Sequence, residues 1–198
     1  MALDDQVRKA LLRRGFALEY ATLTWNVAGI VVLTIAAMSA RSVALAGFAL
    51  DSLIEIGAST VVIWELSGTG EERQRRSLRL IGYAFAALAV YLLAQSTVVL
   101  ASGYHPHHSV PGIIWTALTA GVMFGLAAGK ARTGRALGNP VLRTEGRVTL
   151  IDGILATAVL LGLVLNAALG WWWADPAAGY VLVFYAAREA REIFSTPD

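Results

Sequence analysis

The sequence contains no cysteine, which excludes both a disulfide framework and a thiolate metal site. It has only three histidines, and all of them lie in one short polar segment: His105, His107 and His108. Charged residues make up 15% of the chain, well below the roughly 25% that is usual for soluble domains. Any metal site in this protein must therefore use oxygen or imidazole ligands.

The N-terminal segment MALDDQVRKALLRRG also lacks the apolar core and the small-residue cleavage site of a signal peptide. We expect it to be a short cytoplasmic amphipathic lead-in. The rest of the chain is strongly apolar: 57% of the 198 residues are hydrophobic and the mean hydropathy is +0.60. This composition predicts an integral membrane protein. The sequence pI near 9.1 does not indicate nucleic acid, because the basic residues fall in short clusters between apolar segments.

Six segments approach the length of about 20 mostly apolar residues that a membrane-spanning helix needs. The predicted fold class is an all-α polytopic membrane protein with six transmembrane helices in a single domain, 1–198. The predicted helices are 16–37, 43–66, 78–101, 111–130, 141–169 and 176–193. Breakers or charged residues separate them, as in SGTGEERQRRS, SGYHPHHSVPG and KARTGRALGNP.

The basic residues predict the orientation of these six helices. With six spans, fifteen of the sixteen Lys and Arg residues fall on one side and only Arg41 falls on the other. Cytoplasmic loops carry the excess of Lys and Arg, so both termini are expected to be cytoplasmic. The predicted location is the cell membrane, either an inner or a plasma membrane.

Three acidic residues lie inside the apolar segments. Asp51 and Glu55 are spaced i, i+4 and project from one face of helix two, while Asp152 lies within helix five. With a rise of about 1.5 Å per residue, all three reach roughly the same level near the midplane, together with Asn26 of helix one. An acidic side chain at that depth costs roughly 2.5–3.5 kcal/mol.

Two neighbouring carboxylates in an apolar environment repel each other unless protons or a cation neutralise them. We therefore expect the empty site to hold at least one proton, which a metal ion would expel. The alternative is that Asp51 and Glu55 pair with a buried Arg or cap a broken helix. Against it, no Lys or Arg falls in the central part of any predicted span. Asp152 alone could instead hydrogen-bond to Ser, Thr or Tyr.

Several other polar residues have two interpretations. Glu145, Thr149 and Asp152 form a stripe at i, i+4 and i+7. In this stripe, Glu145 is interpreted as an access-path or salt-bridge residue in preference to a metal ligand. Glu19 either lines an inner vestibule or extends to the interface near Arg13 and Arg14. The three histidines either collect transition metals weakly or belong to a solvated loop, and the loop is favoured.

Two stretches resemble the cation diffusion facilitator (cation efflux) family. The segment SVALAGFALDSLIEIGAS, with Asp51 and Glu55, is similar to helix two of that family, which carries an Asp-x-x-x-Asp pair there. GWWWADP followed by AAG resembles the junction between its helices five and six. The similarity extends over essentially all six spans.

The resemblance implies a homodimeric exporter of divalent metals, usually zinc, which exchanges them for protons by alternating access. By position, Asp51, Glu55 and Asp152 match the acidic metal ligands of helices two and five. The additional ligands or path residues would be Asn26, Thr149, Glu145 and Glu19. No permanent cofactor is expected; the transported ion would be zinc, with manganese, cobalt, iron or cadmium as other candidates.

Two departures from the family pattern affect these expectations. The helix-five histidine, four residues before Asp152, is Val148 here, so the site would be richer in oxygen than the family norm. Only REAREIFSTPD follows helix six, so a transmembrane-only member is expected, without the family's cytoplasmic domain. A non-transporting metal-binding or scaffold relative is the alternative function. An intramembrane hydrolase is disfavoured because the acids fall in a motif that resembles a transporter's, no histidine lies inside a predicted span and no GxGD-type signature is present, so the protein is not expected to be an enzyme.

Overall fold

The protein folds into six α-helices in a computed structural model that describes residues 5–40, 43–68, 71–103, 107 and 109–195. The described residues contain no β-strand, which confirms the all-α class. The helices are α1 (Asp5–Ala40), α2 (Val43–Leu66), α3 (Glu71–Ser102), α4 (Val110–Leu137), α5 (Pro140–Leu169) and α6 (Ala174–Ser195).

Three helices are longer than the hydropathy predicts, because the flanking basic segments are also helical. α1 begins at Asp5 rather than 16, α3 at Glu71 rather than 78, and α4 ends at Leu137 rather than 130. Lys, Arg, Gln, Glu and Ala are good helix formers, so charge alone does not end a helix. The predicted connector KARTGRALGNP is thus mostly the last two turns of α4.

A tight corner at Gly138, Asn139 and Pro140 separates α4 from α5. Gly138 ends α4 in the left-handed conformation, with φ of 65°, which glycine adopts without steric cost. The Asn139 side chain then accepts a hydrogen bond of 2.8 Å from the backbone N–H of Leu142 and caps α5. The Asn139 amide also donates to both Glu65 carboxylate oxygens at 3.1 Å, which ties the end of α2 to this corner.

The helices form one bundle in which α1, α2, α4 and α5 surround the buried polar residues, and α3 pairs with α6. α4 packs most extensively against α5, and α1 against α2. Large apolar side chains cover the outside of the bundle, for example Val31, Ile35, Val90, Ile114, Leu118 and Leu161. A helix that is apolar on its outer face and polar toward the bundle centre suits a lipid environment.

Four helices of the described part of the chain are long and apolar enough to cross a membrane: α1, α3 (from Gln74), α4 and α5. The protein is therefore a multi-pass membrane protein. α2 and α6 have 24 and 22 residues, which is also sufficient by length. That both of them span the membrane stays a prediction.

The basic helix ends lie together at one end of the bundle. Arg147, near the start of α5, donates to Glu189 (2.9 Å) and approaches Glu192 (3.5 Å) near the end of α6. Gly82, near the start of α3, faces Phe194 in the same region. At this end Gly15 of α1 also packs against residues near the end of α2 and the start of α5. We call it the basic end.

Candidate functional site

The antiparallel packing of α2 against α5 brings the predicted acidic ligands into one buried layer. The carboxyl groups of Asp51 and Asp152 lie close enough for each to affect the charge of the other. A second contact between these helices joins Ser59, eight residues after Asp51, to Glu145, seven residues before Asp152. Ser59 Oγ donates to Glu145 Oε1 at 3.3 Å. This register places Glu55 level with Val148 and Thr149.

Asp51 and Asp152 form a carboxyl pair that is almost closed to solvent, with exposures of 1% and 3%. A hydrogen bond between two carboxyl groups requires that one of them carries a proton. Among the described residues, neither Oδ2 atom has a hydrogen-bond partner. Two buried carboxyl oxygens are therefore available to a proton or a ligand.

Glu55 lies one helical turn from Asp51, toward the basic end, and is 2% exposed. Within the described part of the chain, neither of its carboxylate oxygens has a hydrogen-bond partner. The charged groups that act on it include Glu145, Asp152, Lys130 and Glu19. Burial of an ionised carboxylate without a hydrogen-bond partner costs free energy. Binding of a proton or a cation would therefore stabilise Glu55.

The three predicted metal ligands are thus neighbours, but they do not form a closed metal site. Within the described ranges, no three acidic or histidine side chains converge closely enough to hold an ion. Asp51 and Asp152 face each other, whereas Glu55 faces the charges nearer the basic end. A cation would have to separate the carboxyl pair and draw Glu55 toward it.

One basic residue is buried in the bundle, at the end of the predicted span 111–130. Lys130 is fully buried, and α4 continues for seven residues beyond it. Its Nζ lies 3.0 Å from Glu19 Oε2 and 3.0 Å from Glu145 Oε1, and it donates to Thr149 Oγ1 at 2.9 Å. The apolar segment gives way to charged residues at this point, so the sequence predicts Lys130 at the end of the span, near the surface.

A helical periodicity could have identified the burial of Lys130. The buried face of α4 repeats at three- and four-residue intervals and includes Lys130: Thr116, Ala120, Met123, Ala127, Lys130 and Gly134. Lys130 thus continues the stripe of Met123 and Ala127 by one more turn.

Glu19 and Glu145 are both fully buried partners of this lysine. The alternative in which Glu19 extends to the interface near Arg13 and Arg14 was wrong. Glu145 does form an ion pair, although with Lys130 instead of its sequence neighbours Arg143 and Arg147. The roles of both acids as ligands or path residues stay predictions.

The other predicted polar residues occupy different positions. Asn26 is 2% exposed and its amide donates to Thr22 O in its own helix at 3.1 Å. Thr149 is fully buried and accepts from Lys130. His107 is exposed on the loop between α3 and α4, while His105 and His108 lie outside the described residues.

The sequence is similar to Transmembrane protein 163 of Xenopus laevis, with 24% identity over 172 residues. The similarity covers 81% of this chain and 60% of that protein. The chain therefore spans about three fifths of the length of this curated relative.

A second comparison concerns the family. The sequence matches the cation efflux transmembrane domain over residues 80–196, from α3 to α6. This range contains Lys130, Glu145 and Asp152, whereas Asp51 and Glu55 of α2 lie outside it. Because the match covers more than half of the 198 residues, the chain belongs to the cation efflux family.

Proposed function

We propose that this protein transports a divalent metal cation across the membrane in exchange for protons, at a site formed by Asp51, Glu55 and Asp152. The observation that carries this proposal is the buried carboxyl pair of Asp51 and Asp152. Beside it lies Glu55, whose carboxylate oxygens have no hydrogen-bond partner among the described residues. Membership of the cation efflux family supports the general class of cation transporter.

The chemistry of the pair explains how protons and a cation would share one site. In the metal-free state a proton allows Asp51 and Asp152 to lie side by side in an apolar bundle. A divalent ion would take the place of that proton, because the same oxygens cannot bind both. Ion binding from one side and proton binding from the other would then couple the two flows, by alternating access.

The donor set limits which ions are suitable. The proposed ligands are all carboxylate oxygens, and Val148 supplies no ligand atom on the same stretch of α5. Zinc accepts carboxylates and is the first candidate, while an oxygen-rich site also suits manganese. Cobalt, iron and cadmium are the remaining candidates.

The orientation and the assembly belong to the same proposal. The basic end of the bundle suits the cytoplasmic side, which would place both termini in the cytoplasm. We further propose a homodimer in a cell membrane, on the basis of the family resemblance alone. Cross-linking of the purified protein in bilayers measures the assembly.

The experiment is metal flux into proteoliposomes with an imposed pH gradient. Asp51→Asn removes the charge and one acid of the pair, so the flux of zinc, manganese or cobalt should fall by at least about tenfold, equivalent to about 1.4 kcal/mol. Asp152→Asn should have the same effect. Wild-type flux in both variants would show that the ion binds elsewhere.

Glu65→Gln is the matched control for these variants. Glu65 is a buried acid on the same helix, but it serves the corner at Asn139, far from the carboxyl pair. This variant should keep its flux, with the same elution profile in detergent as the wild type.

Lys130 favours a second candidate, a non-transporting metal-binding or scaffold protein. Its ammonium group is paired with Glu19 and Glu145, and its positive charge also acts on Glu55 and Asp152. A protein that binds zinc or manganese but shows no flux of any tested ion under either direction of the pH gradient would establish this alternative.

A further inference from the structure

The ammonium group of Lys130 has the surroundings of a bound cation. It is fully buried, with two carboxylate oxygens at 3.0 Å and the Thr149 hydroxyl at 2.9 Å. Burial of a charge in a protein interior is tolerated only when its partners are complete. Here Glu19 of α1, Glu145 of α5 and Lys130 of α4 are held together from three helices.

The same oxygens make a suitable donor set for a divalent ion. Both residues are fully excluded from solvent, and among the residues that the structure describes Glu19 Oε1 and Glu145 Oε2 have no hydrogen-bond partner. Ser59 donates to Glu145 and fixes that carboxylate on the α2 side. Two carboxylates with hydroxyl groups beside them match the oxygen ligands that divalent cations accept.

The position of this group relates it to the carboxyl pair. Glu145 lies seven residues before Asp152 on α5, which is about 10.5 Å along the helix toward the basic end. Glu55 lies between the two levels and has both Lys130 and Asp152 among its charged neighbours. An ion that leaves Asp152 toward the basic end would therefore meet Glu55 and then the Glu19–Glu145 pair.

We propose that Glu19 and Glu145 form a second divalent cation site, which the Lys130 ammonium occupies as a tethered cation in the metal-free state. This inference rests on the proposed function, because the ion would come from the Asp51–Asp152 site. Lysine suits the role of a removable occupant, since it is a compact point charge on a flexible four-carbon chain. Repulsion between the ammonium group and a divalent ion in this apolar interior prevents both from occupying the pair together.

The test is the number of ions bound by the purified protein, measured by equilibrium dialysis with zinc and with manganese. Lys130→Gln vacates the second site, so it should bind about one more ion per chain than the wild type, held by the two freed carboxylates. Lys130→Arg keeps a cation between Glu19 and Glu145 and should bind no additional ion. Equal numbers in the wild type and Lys130→Gln would overturn the proposal.

Two combined variants separate this proposal from the first. Glu145→Gln added to Lys130→Gln removes one of the freed carboxylates, so the additional ion should be lost. Asp51→Asn added to Lys130→Gln impairs the first site but should keep the additional ion. If the additional ion disappears with Asp51→Asn and persists with Glu145→Gln, it belongs to the first site and the second site does not exist.

Because Lys130→Gln leaves two buried carboxylates unpaired, its folding needs a separate measurement. The variant should melt at a lower temperature than the wild type in chelator and recover most of that loss with zinc or manganese. If it cannot be purified under either condition, Glu145→Gln and Glu145→Asp are compared in the flux assay. Severalfold slower flux in Glu145→Gln, with recovery in Glu145→Asp, supports a second cation site that requires the charge of Glu145. Unchanged flux in Glu145→Gln contradicts it.

Discussion

Val148 is the residue that most distinguishes this site from the pattern its sequence resembles. It is 2% exposed and lies one turn before Asp152, at the level of Glu55. The family resemblance places a histidine at this position. An apolar side chain there leaves the proposed ion with carboxylate ligands alone and leaves Glu55 without a neutral partner.

Val148→His should change which metal the protein prefers. Imidazole favours zinc over harder ions, so the ratio of zinc to manganese affinity should rise by about tenfold, or about 1.4 kcal/mol. Calorimetric titration of both metals measures this ratio. Val148→Asn is the matched control, because it adds polarity of similar size without an imidazole. A ratio that rises equally in both variants would refute the specific role of imidazole.

The residue scale also shows what the sequence could reveal about the site. Asp51, Glu55 and Asp152 were predictable as one group, since buried acids in apolar helices are rare and depth can be counted along a helix. Lys130 was missed, because one basic residue at the edge of an apolar segment resembles an interfacial anchor. Only the three-dimensional packing of α1 and α5 supplies the two acids that allow its burial.

At the scale of the helices, close packing of α4 against α5 depends on glycines that the sequence does not single out. A methyl group on Gly146 would lie 3.0 Å from the backbone nitrogen of Ala131, next to Lys130 in the chain. Gly121 and Gly125 belong to a pattern typical of helix contacts, yet no described residue lies within 4 Å of such a methyl group on either of them. The face of α4 that packs against α5 is therefore a different one, which places Met123 beside Gly153 and Ala131 beside Gly146.

Gly146→Ala should destabilise the protein, whereas Gly125→Ala should not. The added methyl group pushes α4 away from α5, and overpacking of this kind costs about 1–3 kcal/mol. Thermal unfolding in detergent measures the difference, with Gly125→Ala as the matched control on a helix surface. If both variants melt at the wild-type temperature, α4 and α5 can move apart without a loss of stability. Close packing of these two helices would then not explain the position of Lys130.

At the scale of the whole molecule, charge is distributed unevenly. Basic side chains gather at one end of the bundle, while buried acids occupy its interior together with Lys130. The sequence predicted the first arrangement through the alternation of basic clusters and apolar segments. The pairing of Asp51 with Asp152 depends on the register of α2 against α5, which side-chain packing determines and which depth counting only approximates.

The proposed exchange at Asp51 and Asp152 predicts a pH dependence with a definite sign. In this proposal the metal-free pair holds a proton, which a divalent ion would displace. Affinity should therefore fall as the pH falls, by up to about tenfold per pH unit for each proton released. Binding isotherms from about pH 6 to about pH 8 measure this slope. In Asp152→Asn, where the asparagine amide can donate the hydrogen bond without a proton, the slope should be smaller. A wild-type affinity that is constant across this range would mean that metal and protons do not compete at this site, and coupling through the carboxyl pair would be excluded.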